Sequence, residues 1–331
     1  WEKLNRDFKK PYFSVGILLQ TVGDFQIERN IPGTTNGFTI SNLRLNVGGE
    51  LDHHFGYFIQ ANFINQPAIL DARMYYRIAP GLVVEAGQFK APFSREFLTG
   101  AASIDFVNRA EAVTALSPGR QIGAQIRGAL GNEVFHYAVG VFNGNGIGAN
   151  GNENNHLMVV GRGELRLRPN VGKDHAQLSL GASAATSTDR DVRLPGYLFF
   201  SYFTGDRTVW EVDARLEWAS LLLAGEYLSG HLDGRFESQI HPQIIGQVRI
   251  RNTHPFGYYL TAGYKIIPPV QALLRYEYFD SDLYTPLTRR FIAGINIWPT
   301  QATEIQINYL INRDDSEFKH HQLLINAQIG F

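Results

Sequence analysis

The clearest pattern along the chain is a two-residue alternation of apolar and polar positions. In Val209–Ala219, Trp210, Val212, Ala214, Leu216 and Trp218 share one face, and Glu211, Asp213, Arg215 and Glu217 share the other. Successive side chains of a strand point to opposite faces, so this period predicts a β-strand. The same alternation runs through Leu43, Leu45 and Val47 against Arg44 and Asn46. It recurs in Leu70, Ala72, Met74, Tyr76 and Ile78 against Asp71, Arg73, Tyr75 and Arg77. Ile122, Ala124, Ile126 and Gly128 alternate with Gln121, Gly123, Gln125 and Arg127, and Ile305, Ile307, Tyr309 and Ile311 with Glu304, Gln306, Asn308 and Leu310.

Sixteen such segments are predicted, near 11–22, 37–49, 54–65, 67–78, 82–90, 120–130, 133–143, 156–168, 175–187, 206–219, 221–236, 255–267, 270–280, 288–298, 301–313 and 320–331. The links between them alternate in length. Short ones hold Gly49-Glu50, Pro80-Gly81, Gly131-Asn132, Ala219-Ser220, Pro268-Pro269 and Pro299-Thr300; long ones include 23–36, 91–119, 144–155, 188–205 and 237–254. Link 65–67 is short where a long one is due, and 169–174 is long where a short one is due. An even number of strands with alternating short and long links is the rhythm of a transmembrane β-barrel with periplasmic termini.

Two details turn a β-protein into a membrane β-protein. The apolar face of Val209–Ala219 carries Trp210 and Trp218 at its ends, eight residues apart. At about 3.3 Å per residue and a tilt near 40° they stand roughly 20 Å apart in height, close to the spacing of aromatic girdles about an apolar band. The polar faces are rich in charge, which predicts a wide, wet interior rather than one filled with side chains. Arg44, Arg73, Arg77, Arg127, Arg162, Arg166 and Arg275 are expected on the lumen wall, facing Asp71, Glu164, Glu211, Asp213, Glu217, Glu277 and Glu304.

Composition narrows the reading. The 331 residues include 33 Gly, 22 Phe and 15 Tyr, a mix that favours strands and turns. The net charge of -1 offers no global field for nucleic acid. No apolar run reaches 18 residues, so no transmembrane helix is predicted. With no Cys there are no disulfides, no thiolate metal site and no covalent c-type haem. No G-x-S-x-G occurs, and the adjacent pairs His53-His54 and His320-His321 point to opposite faces of any strand, so neither an enzyme nor a metal site is expected. No cofactor is implied. The whole of 1–331 reads as a single barrel domain.

Several motifs add a resemblance. These are Gly87-Gln88-Phe89-Lys90-Ala91-Pro92-Phe93-Ser94-Arg95-Glu96, Asp105-Phe106-Val107-Asn108-Arg109-Ala110 and Pro118-Gly119-Arg120-Gln121-Ile122-Gly123-Ala124-Gln125. With Phe256-Gly257-Tyr258-Tyr259 and Ala262-Gly263-Tyr264 they resemble the phosphate-selective porin O/P family. The resemblance implies an all-β, 16-stranded antiparallel barrel of the bacterial outer membrane, usually trimeric, acting as a passive channel with its third outer loop folded inward. That loop coincides with link 91–119. The solute-facing constriction is then expected to involve Lys90, Arg95, Arg109 and Arg120 against Glu96, Asp105 and Glu111, four basic groups to three acidic. Charge so mixed argues for weak anion preference toward small polar solutes rather than strict phosphate selection.

Phe331 ends an amphipathic strand in which Leu323, Ile325, Ala327 and Ile329 share its face, resembling the signal read by the barrel assembly machinery. The partners expected are outer-membrane lipid and lipopolysaccharide, that machinery and two further copies of the chain. The alternative is a barrel that scaffolds another outer-membrane protein.

Overall fold

The computed structural model describes residues 12–27, 36–64, 68–171, 174–195, 202–241, 244–283, 287–313 and 319–331. In chain order its strands are β1 (Tyr12–Gln26), β2 (Gly37–Glu50), β3 (Phe55–Asn62), β4 (Ala68–Ala79), β5 (Leu82–Lys90), β6 (Arg120–Leu130), β7 (Phe135–Phe142), β8 (Met158–Leu167) and β9 (Asn170–Val171). There follow β10 (Asp174–Arg193), β11 (Tyr202–Trp218), β12 (Leu221–His241), β13 (Ile244–Thr253), β14 (Phe256–Ile267), β15 (Val270–Asp280), β16 (Thr288–Thr300), β17 (Thr303–Arg313) and β18 (Lys319–Gly330). All pairings are antiparallel, and β1 pairs with both β2 and β18, so the sheet closes on itself. β9 is a two-residue pairing at the foot of β10, and β13 folds back on the far end of β12, which lower down pairs with β14. Neither belongs to the closed wall, which has sixteen strands. Each coincides with one of the sixteen segments predicted from alternation.

The faces follow from the alternation. On β11, Trp210, Val212 and Trp218 are 44%, 47% and 39% exposed on the outside, while Glu211 and Asp213 are 1% and 6% exposed. Register carries the division from strand to strand: Glu211 lies opposite Leu228 and Asp213 opposite Glu226. One face assignment needs correction. Gln60 pairs with Asp71 and Ala61 with Ile69, so a β-bulge leaves Leu70 as the extra residue. The bulge turns Leu70 inward to 9% exposure and puts Ile69 outside at 56%.

The wall is uneven in height. β3 and β7 have 8 residues each, whereas β10 and β12 have 20 and 21. At about 3.3 Å per residue the tall strands outreach the short ones by roughly 40 Å along the chain. Much of what reads as links 188–205 and 237–254 is therefore strand, namely the ends of β10, β11 and β12 together with β13. Link 65–67, and the parts 28–35, 196–201 and 242–243 of the longer links, lie outside the described residues. Phe331 is 73% exposed, and its backbone N–H and C=O both bond Ile17, continuing the β1–β18 ladder by one residue.

The expectation of a wet interior also needs revision. The inward charges Arg162, Glu211, Asp213, Glu226, Arg275 and Glu277 are all buried. Segment 91–119 packs against them, and above them the inward residues of the tall strands mix the apolar Val192, Phe203 and Phe236 with a buried ion pair of Arg207 and Asp189 at 2.7 Å.

Candidate functional site

Segment 91–119 leaves β5 through Ala91-Pro92 and re-enters β6 through Pro118-Gly119. Gly119 has φ +81°, which suits glycine. Between these ends lie the short helices α1 (Arg95–Leu98) and α2 (Glu111–Leu116), and a 3₁₀ turn at Ala101–Ser103. Ser94 caps α1, its Oγ accepting from the Phe97 N–H at 3.2 Å. α2 buries Ala112, Val113, Ala115 and Leu116 in one apolar cluster with Val160, Val209, Leu228, Leu232 and Phe279 of the wall. Contact is close enough that a Cβ at Gly257 would stand 2.6 Å from Ala112 Cβ, so β14 needs glycine there.

Polar anchors hold the segment in two places. At the first, the Glu226 carboxylate accepts from Ser94 Oγ at 2.6 Å, from the Glu96 N–H at 2.6 Å and from Tyr259 OH at 3.0 Å. Arg95 donates to Tyr259 OH at 2.7 Å and lies 3.7 Å from both Glu226 and Asp213. Glu96 pairs with Arg275 at 2.6 Å and also accepts from the Ala110 N–H at 2.9 Å. At the second, Asn308 Oδ1 accepts from the Val107 N–H at 2.8 Å, while Gln306 and Asn296 donate to the carbonyls of Ile104 and Asp105 at 3.0 and 2.9 Å. Arg215 pairs with Asp105 at 2.8 Å. Phe106 is buried with Leu222, Leu273, Ile292, Leu310 and Leu324, and the Arg275 guanidinium lies 4.3 Å from its ring centre.

These contacts sort the predicted charges. Arg95, Glu96 and Asp105 are engaged with the β11–β15 wall; Asp105 also borders a cavity of about 400 Å³ with Arg215, Glu217 and Glu304. Arg162 is engaged likewise, pairing with Glu211 and Asp213 at 2.7 Å each. Arg77 pairs with Glu50 at 3.1 Å and Arg166 with Glu164 at 2.8 Å, both near the short turns. The remaining cations converge on the opposite side. Arg44, Arg73, Lys90, Arg120 and Arg127 line a cavity of about 560 Å³ between the segment and β2–β6. Arg44 also borders a second cavity, with Arg109, Glu111 and Arg290. Burial lowers the Arg109 guanidinium from its ordinary value; Glu96 pulls against this and Arg120 adds to it. Burial raises the Glu111 carboxyl above its ordinary value, with Arg290 opposing.

Residues that hold the site but carried no signal as site residues include Glu226, Tyr259 and Arg215. Each occupies an inward position of its strand, so alternation placed the face. The partner, more than a hundred residues away in sequence, could not be read from it.

Comparison with known families then decides what the chain is. The family model for phosphate-selective porin O and P matches residues 19–324. The chain belongs to that family. This porin is an outer-membrane channel, located in the bacterial outer membrane. No curated protein matches its sequence at a significant level. Among solved structures the porin resembles in-vitro folded OmpT, an outer membrane protein of Vibrio cholerae, with TM-score 0.66 at 10% identity over 98% of this chain and 100% of that one. It resembles Salmonella typhi OmpF in complex with daunomycin with TM-score 0.66 at 11% identity, over 98% of both chains. Its similarity to the outer membrane channel DcaP of Acinetobacter baumannii has TM-score 0.61 at 13% identity over 97% of both. At such identities the likeness speaks for the fold alone.

Proposed function

We propose that segment 91–119 is the constriction of a passive pore with weak anion preference, and that solutes pass between it and the β2–β6 wall. One observation carries the reading: Glu96 and Asp105 of the segment are paired with Arg275 and Arg215 of the β11–β15 wall, while five cations border the open cavity with Asp71 among them. A charge at a narrow aqueous passage acts on a passing ion within the screening length of about 8 Å, so these cations outweigh the overall charge of -1. Their field is moderated. Arg120 pairs with Asp71 at 3.0 Å, and Arg73 and Arg127 share Glu85 at 2.7 Å each. The solutes are small and polar or anionic. The working unit is a homotrimer; a trimer form of the OmpT of Vibrio cholerae supports that reading.

The test is the reversal potential across a planar bilayer under a KCl gradient. The wild type is expected to prefer chloride modestly, and Lys90→Glu and Arg120→Glu to shift the potential toward cations. Cation selectivity in the wild type, or no shift in either variant, refutes the proposal.

A further inference from the structure

The cavity beside segment 91–119 has two unlike faces. The barrel supplies all the charged groups, Arg44, Arg73, Lys90, Arg120 and Arg127 with Asp71, beside polar and apolar side chains such as Asn46, Gln60 and Leu18. The segment supplies Pro92, Leu98, Gly100, Ala101 and Ala102, with no charged side chain among them. At about 560 Å³ the space is of the size that encloses small organic ligands.

The cationic face offers charge but few unengaged donors. Lys90 Nζ spends its three N–H groups on the carbonyls of Phe97, Leu98 and Thr99, at 2.6, 3.3 and 2.9 Å. Arg120 is turned to Asp71 through Nε and Nη2. Arg73 and Arg127 are turned to Glu85. Arg44 gives its Nε to the neutral Asn42 Oδ1 at 2.8 Å and forms no ion pair among the described residues, so its terminal N–H groups remain for a solute.

Inorganic phosphate is compact and strongly hydrated. It sheds water readily only where several free N–H groups converge on its oxygens. One guanidinium fork in a generally positive field does not meet that need. It does meet the need of a single carboxylate, which a fork binds in bidentate fashion. The apolar face opposite then gains by covering the remainder of such a solute.

Resting on the anion-preferring pore above, we propose that the preferred solutes are organic monocarboxylates with an apolar body, favoured over inorganic phosphate. The carboxylate meets Arg44, and the body lies along Leu98, Ala101 and Ala102. The cations around them draw the anion in and pass it on.

The test uses the full-length protein in planar bilayers carrying KCl current, to which formate, butyrate, benzoate or inorganic phosphate is added at equal concentration. Current reduction is expected to rise from formate to butyrate to benzoate, with phosphate below butyrate. Arg44→Ala should weaken the benzoate effect about tenfold, the loss of one charge-assisted bond. Leu98→Asn should weaken it about fourfold, the share of roughly one buried methylene. The wild-type series needs no variant to fold. A flat carboxylate series, or phosphate matching benzoate, overturns this proposal while leaving the anion-preferring pore intact. A cation-selective wild type overturns both.

Discussion

Removing the carboxylate of Glu226 tests how the constriction is held. In Glu226→Ala, Ser94 Oγ, the Glu96 N–H and Tyr259 OH lose their common acceptor. Hydrogen bonds to a charged group contribute about 1.5–3 kcal/mol each, so the gross loss is on the order of 6 kcal/mol. Part of it is offset. Asp213 lies opposite Glu226 in register, and Arg95 stands between the two, so one acid fewer lets Arg95 serve Asp213 alone. A net cost of about 4 kcal/mol remains, in the range for breaking a buried charged cluster by deleting one partner. That is roughly a thousandfold loss in the ratio of docked to undocked α1. The anchors at Ile104, Asp105 and Val107 are independent and stay in place. The expected phenotype is therefore specific: a noisier single-channel current with larger open excursions, and new protease cleavage confined to the stretch around 93–100. Glu226→Gln keeps one carbonyl acceptor and should fall between the two. Unchanged noise and unchanged protease resistance in Glu226→Ala would refute the assignment of Glu226 as the anchor.

Three other outcomes are expected. Phe106→Ala empties a fully buried aromatic site beside Arg275 and should lower barrel stability in urea titrations by about 3–5 kcal/mol, with loosening at the other end of the segment. Ala214→Arg puts a charge on the outer face midway between Trp210 and Trp218; folding into bilayers should cost about 2–4 kcal/mol, and an unaltered titration would mean that this face does not meet lipid. Because burial raises the Glu111 carboxyl, it protonates before ordinary carboxylates as pH falls from 7, which removes a negative charge beside Arg109. Anion preference should therefore increase on acidification, and Glu111→Gln should abolish the early part of that increase in reversal-potential measurements.

The sequence by itself determined the wall. Side-chain direction in a strand has a period of two, and a barrel in a bilayer must present apolar groups outward on every strand, so Trp210, Val212 and Trp218 disclose their face with no knowledge of their neighbours. Short turns marked by Gly and Pro counted the strands for the same local reason. Local pattern weakened where that constraint ended: at the bulge that turns Leu70 inward, and along the tall ends of β10 to β13, where no alternation is imposed by lipid.

Tertiary structure alone decided which charges stay available. Lys90, Arg95, Glu96, Arg109 and Asp105 are close in sequence and alike on paper, yet Glu96 ends on Arg275 and Asp105 on Arg215, while Lys90 is left beside the cavity. An ion pair forms between groups within about 4 Å of each other, whatever their separation in sequence, and only barrel closure brings residue 96 to residue 275. A charge count along segment 90–120 sums all of them. The pore feels chiefly those that closure leaves beside the cavity.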